Sequence, residues 1–166
     1  MINGMAKAVR AIRNPGYKKL MGSKIAEETS NTYFNHMNKY EGKTLVLGAS
    51  LKSYRYSHLA ILKLEDHKYE VHALGLRKGR VGNTTIETEI DAFDGSDIDT
   101  FTVYLGAKRQ SDLLQWVDKL RPKRVIFNPG AENPNIYPDL EKRGVEWTEA
   151  CTLVLLGTGQ YESSAL

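Results

Sequence analysis

One cysteine, Cys151, stands in 166 residues, so no disulfide can form within the chain, and the expected setting is a reducing compartment, the cytoplasm. No apolar run approaches the roughly 20 residues that cross a bilayer, and the amino-terminal residues carry no hydrophobic signal core. A membrane partner is therefore not expected. The four histidines, His36, His58, His67 and His72, lack metal-ligand spacing, and none joins a recognisable nucleophile set. Accordingly no metal ligand and no catalytic residue is assigned. Also missing are the three spaced glycines of the dinucleotide fingerprint.

Positive charge is scarcer than the net value of +3 suggests. Residues 1–36 hold six basic side chains and two acidic ones, a local charge of +4, which leaves 17 basic and 18 acidic side chains, or −1, for the rest. The body of the chain thus lacks the basic face that nucleic-acid binding requires. Any phosphate site in it must be a local cluster.

A hydrophobic content of 41% over this length is enough for one domain with a core of its own. The regular pattern of that domain begins at Lys43, and Met37 would make a natural start for it. The expected division is an amino-terminal appendage over residues 1–36 and a domain over 37–166. Within the appendage, Met5–Arg13 suits a basic turn or two of helix that Asn14-Pro15-Gly16 would stop. A second stretch from Ser23 puts Ile25, Tyr33, Met37 and Tyr40 on one helical face. It is either a docking helix or a segment foreign to the domain.

From Lys43 onward strands and helices alternate. Thr44–Leu47 predicts a first strand, His58–His67 a helix, and Glu70–Leu74 a second strand. A hairpin-like excursion over Val81–Ile86 precedes a third strand over Asp99–Leu105 and a helix over Ser111–Leu120. Arg124–Phe127 predicts a fourth strand, a helix opens at Pro134 or Pro138 and closes at Gly144, and Val145–Trp147 begins a fifth strand. Thr152–Leu156 suits a last strand or a buried helical turn, which periodicity does not decide. Such alternation implies right-handed crossovers. The expected fold class is α/β: a Rossmann-like, doubly wound parallel sheet of about five strands in three α/β/α layers.

In such a sheet, ligands bind beyond the carboxyl ends of the strands. Gly48 ends the first apolar strand in a turn where backbone N–H groups and the following helix can hold a phosphate. Ala49 and Ser50 continue that turn, Ser57 adds a hydroxyl, and Lys52 and Arg55 add positive charge. The segment after strand two reads Arg77-Lys78-Gly79-Arg80, where an NAD enzyme would carry an acid for the ribose. Cations there suit a ribose that bears a phosphate, as in NADP or coenzyme A. After strand four, Asn128-Pro129-Gly130 forms a rigid turn expected to point the Asn128 amide at the crevice.

Taken together, Gly48-Ala49-Ser50 with Arg55-Tyr56-Ser57, Ala73–Arg77, Arg124–Asn133 and Cys151–Leu156 make the stretch from Lys43 to Tyr161 resemble the free-standing CoA-binding domain family. That family is similar to the amino-terminal domain of the succinyl-CoA synthetase alpha subunit. The resemblance implies a first turn that holds the CoA diphosphate, lined by Gly48, Ala49, Ser50 and Lys52 with Arg55, Tyr56 and Ser57 beside it. It implies that Arg77 meets the nucleotide end and that Asn128, Pro129 and Gly130 lie along the ligand. Synthetase activity does not carry over, because the chain has no room for the second domain with its phosphorylated histidine.

The expectation that follows is a small CoA- or acyl-CoA-binding protein without catalytic machinery, with Arg77, Lys78 and neighbouring residues at the 3′-phosphate. Two alternatives stay open. One is an NADP-dependent oxidoreductase using Tyr56 or Tyr104 as proton donor. The other is an interaction protein whose nucleotide crevice is vestigial and whose first 36 residues recruit a partner, a second copy of the chain included.

Overall fold

The apolar run Thr44–Leu47 lies at the centre of a seven-stranded sheet. The structure is a computed structural model and describes residues 42–162. Strand β1 (Lys43–Ala49) pairs in parallel with β2 (Val71–Gly75) on one side and with β5 (Ile98–Val103) on the other. Beyond β2 lies β4 (Thr84–Glu87), also parallel, and then β3 (Gly79–Val81), antiparallel at the edge. Beyond β5 follow β6 (Arg124–Phe127) and β7 (Glu146–Glu149), both parallel. The spatial order is β3-β4-β2-β1-β5-β6-β7. Setting β3 aside, this is the doubly wound order, and the winding reverses between β1 and β5.

The strand count corrects the expectation of about five, while the Rossmann-like α/β class stands. The additional strands come from the excursion at Val81–Ile86, which turns at Gly82-Asn83 and brings β4 back onto β2. Short strands with mixed polarity such as Thr84–Glu87 carry little periodic signal, so their pairing is set by the neighbouring edge rather than by their own pattern.

Side chains of successive strand residues point to opposite faces. Leu45, Leu47, Phe101, Val103, Val125 and Phe127 therefore share one side of the sheet. There they pack with helices α2 (Leu113–Leu120) and α3 (Tyr137–Lys142) through Leu113, Val117 and Leu140. Val46, Ala73 and Ile126 face the other side, covered by α1 (Tyr56–Asp66) and α4 (Thr152–Gly157) through Ile61, Leu64, Leu155 and Leu156. Burial on both faces is why the central strands read as continuous apolar runs. Each fully buried Leu or Ile contributes about 2 kcal/mol by transfer from water.

Thr152–Leu156 is helical, and the packing explains why. Its adjacent pair Leu155 and Leu156 buries against the α1 side, which a strand with alternating faces would not allow. Helix α1 starts at Tyr56 rather than His58, and a 3₁₀ turn at Pro134–Ile136 precedes α3. The expectations placed on residues 1–36, and on Met37 and Tyr40, lie outside the described residues.

Candidate ligand-binding cleft

Strand β1 bends before it ends. Gly48 has φ +88°, and the pairing of β1 with β2 shifts register between Leu47 and Ala49. A Cβ at position 48 would lie 3.0 Å from Leu105 Cδ2 and 3.1 Å from the Tyr104 carbonyl carbon, so the left-handed turn and the close approach to the end of β5 both require glycine. The following loop is tied to itself and to α1. Ser50 Oγ accepts the Lys52 N–H at 3.2 Å, the Lys52 carbonyl accepts the Arg55 N–H at 3.0 Å, and His58 Nδ1 donates to the Ser50 carbonyl at 3.1 Å. His58 thus ties the loop to the helix.

Arg55 begins α1 without a capping side-chain hydrogen bond, and the first turn of the helix holds no acid. Its leading N–H groups carry the positive end of the helix dipole with no anionic side chain to meet them. Above this turn the carboxyl ends of β1, β2, β5 and β6 frame a cleft of about 830 Å³. Gly48, Ala49, Ser50 and Lys52 line it, as do Arg55, Tyr56 and Ser57 from the start of α1. From β2 comes Arg77, and from the loop after β6 come Pro129 and Gly130.

The charge of the cleft is of one sign. Among the described residues Lys52, Arg55, Arg77 and Arg109 line it, and no Asp or Glu does. Lys52 Nζ and the Arg55 guanidinium each stand 5.9 Å from the Tyr54 ring, a weak cation–π arrangement. The guanidinium groups of Arg77 and Arg109 make no hydrogen bond or ion pair among the described residues. Four cations around an uncapped helix start favour a ligand with more than one phosphate.

A family model described as a CoA binding domain matches residues 42–157, the whole of this sheet with its helices. The chain belongs to the CoA-binding domain family. Among solved structures, this CoA-binding domain is similar to one described as an uncharacterised protein, with 39% identity and a TM-score of 0.67 over 72% of this chain and 97% of that one. A Thermus thermophilus protein superposes with a TM-score of 0.66 at 18% identity, covering 78% of this chain and 97% of its own. A Pyrococcus horikoshii protein does so with a TM-score of 0.63 at 18% identity, covering 75% and 87%. The last two likenesses bear on fold alone. No curated protein matches the sequence.

Two residues singled out from sequence are not brought to the lining of the domain's cleft. Lys78 Nζ pairs with Glu87 Oε2 of β4 at 2.9 Å. Asn128, 2% exposed, does not turn its amide to the crevice: Nδ2 donates to Thr102 Oγ1 at 2.8 Å and to the Val103 carbonyl at 3.1 Å, and Oδ1 accepts the Thr152 N–H at 2.8 Å. It locks the end of β6 to β5 and to the start of α4.

Sequence reasoning did not assign the apolar lining, among it Leu51, Leu74, Leu76, Leu105 and Trp116. Arg109 carried a signal, since its segment follows a strand end, whereas Trp116 on an amphipathic helix looks like any core residue. Tyr104 also lines the cleft, but its hydroxyl is buried, and burial pushes its phenol above the usual tyrosine range. Among the described residues no cluster of His, Cys, Asp and Glu could hold a metal ion, and no helix is long and apolar enough to cross a membrane.

Proposed function

We propose that this chain binds coenzyme A or an acyl-CoA and acts as a binder rather than a catalyst. The diphosphate sits at the Gly48–Ser50 turn, where the N–H groups at the start of α1, Lys52 and Arg55 meet it, with Tyr56 and Ser57 beside it. The 3′-phosphate lies by Arg77, with Lys78 at the outer edge of the same loop, and Pro129 and Gly130 border the ligand from the β6 side. The observation that carries this reading is the uncapped start of α1 beside four cations and, among the described residues, no acid, within a CoA-binding domain.

Arg77 would suit the 2′-phosphate of NADP as well. Family membership favours CoA. Titration calorimetry of the full chain with CoA, dephospho-CoA and NADPH tests the assignment. CoA is expected to bind about tenfold tighter than dephospho-CoA, the value of one charge-assisted phosphate contact. Equal affinity for the two removes the Arg77 role. Absence of CoA binding, or tighter binding of NADPH, overturns the assignment.

A further inference from the structure

The turn at Gly48 and the end of β5 are built against each other. The Tyr104 N–H, one residue past β5, donates to the Leu47 carbonyl at 2.8 Å, and the space that a Cβ on Gly48 would need is taken by Leu105 and Tyr104. The segment after β5 therefore leaves the sheet one strand spacing, about 4.8 Å, from that turn. It carries Arg109 to the lining of the cleft. On the other side of β1 the segment after β2 leaves at the same spacing and carries Arg77. Arg109 and Arg77 thus belong to opposite flanks, with Lys52 and Arg55 following β1 between them.

The backbone that presents Arg109 is folded back and fixed. Ala107–Arg109 forms a 3₁₀ turn in which the Arg109 N–H donates to the Gly106 carbonyl at 2.8 Å. The next residue, Gln110, is 3% exposed and bridges two loops: its Nε2 donates to the Leu105 carbonyl at 2.7 Å and to the Ala131 carbonyl at 2.6 Å. Its Oε1 accepts from Asn133 Nδ2 at 3.1 Å. Gln110 thereby pins the residue next to Arg109 onto Leu105, the side chain that crowds Gly48. The Arg109 guanidinium itself engages no carboxylate among the described residues.

Three cations gathered about one turn repel one another unless an anion sits among them. The pantetheine arm of CoA carries no charge, and the 3′-phosphate is assigned to Arg77 on the far flank. That leaves the diphosphate at the β1 turn as the anion one strand spacing from the segment of Arg109. It has two phosphoryl groups, so Lys52 and Arg55 can meet it from the α1 side while a guanidinium fork takes a pair of its oxygens from the other. We infer that Arg109 is a second clamp on the diphosphate, closing on it from the β5 side. This inference rests on the CoA reading and orientation proposed above.

Calorimetry of the full chain with CoA and dephospho-CoA, repeated on Arg109→Met and Arg109→Lys, tests it. Both ligands carry the diphosphate, so Arg109→Met should weaken both by the same factor, about tenfold, and leave their ratio as it is in the native protein. Arg109→Lys, which keeps the charge but loses the fork, should fall between the two for either ligand. A loss larger for CoA than for dephospho-CoA would put Arg109 at the 3′-phosphate or in a diffuse positive field, and overturns the inference. A change under about twofold for both ligands in Arg109→Met overturns it too, while leaving CoA binding intact. Without ligand, Arg109→Met should melt no lower than the native protein; a lower melting temperature would make its effect structural and overturn the clamp. Native protein that binds neither ligand overturns the underlying CoA reading instead.

Discussion

The Thr152 N–H donates to Asn128 Oδ1 at 2.8 Å, so the first residue of α4 hangs from the last turn of β6. With the two bonds from Nδ2, the Asn128 side chain holds three elements together. Asn128→Ala should therefore lower stability by about 2 kcal/mol, since it leaves the buried Thr152 N–H without an acceptor, while Thr102 Oγ1 keeps its bond to Thr152 Oγ1 and the Val103 carbonyl keeps the Asn128 N–H. Urea denaturation measures this, and a loss under about 0.5 kcal/mol would show that the network is dispensable.

Much of the fold was legible in the sequence, and the limits have physical causes. β1, β6 and α2 were readable because burial on two faces, or on one helical stripe, imposes an apolar pattern. The lining of the candidate cleft was readable where backbone geometry demanded a particular residue, as at Gly48. Asn128 was harder to place: an asparagine beside Pro-Gly serves equally to meet a ligand or to tie strands, and its partners lie 24 to 26 residues away in sequence. The pairing of Lys78 likewise depends on β4 returning to the sheet, which its four residues do not announce.

Gly48 and Gly130 share a positive φ, +88° and +86°, but only the first is crowded. A Cβ at Gly130 meets nothing within 4 Å, whereas one at Gly48 presses on Leu105 and Tyr104. Gly130→Ala should cost about 1 kcal/mol from backbone strain alone, and Gly48→Ala should cost at least about 2 kcal/mol. Gly48→Ala should weaken CoA binding as well, because the turn must shift. Parallel denaturation and calorimetry check the ordering, and equal costs would refute the crowding argument.

Arg77→Met should reduce affinity for CoA about tenfold and leave affinity for dephospho-CoA within about twofold. Lys78→Met should change CoA affinity less than about threefold, since the Lys78 ammonium is already engaged by Glu87. A larger effect at Lys78 than at Arg77 would mean that the 3′-phosphate draws Lys78 away from Glu87.

Alkaline stability should depend on the buried tyrosines. Tyr137 donates to Glu149 Oε1 at 2.8 Å and accepts the Asn133 N–H at 3.1 Å, and its phenol is pushed up to about 12, by burial first and then by the Glu149 bond. A raised value means that the folded chain favours the neutral phenol. Its contribution is complete below about pH 10, the value for an unfolded tyrosine, and is lost as pH rises toward 12. Thermal denaturation across that window, read with phenolate absorbance, should show a melting temperature that falls above about pH 10. A melting temperature independent of pH up to 12 would count against the folded-state environment of Tyr137.

The missing cap of α1 has a consequence for the unliganded chain. A helix that starts without a side-chain acceptor leaves its opening amides to water, and its first turn should exchange hydrogen faster than the turns behind it. A phosphate seated there would act as the absent capping residue, so that occupancy of the cleft and the ordering of Tyr56–Leu59 become one equilibrium. Nucleotide would then slow exchange at those amides and raise the melting temperature together, in proportion to how fully the site is filled.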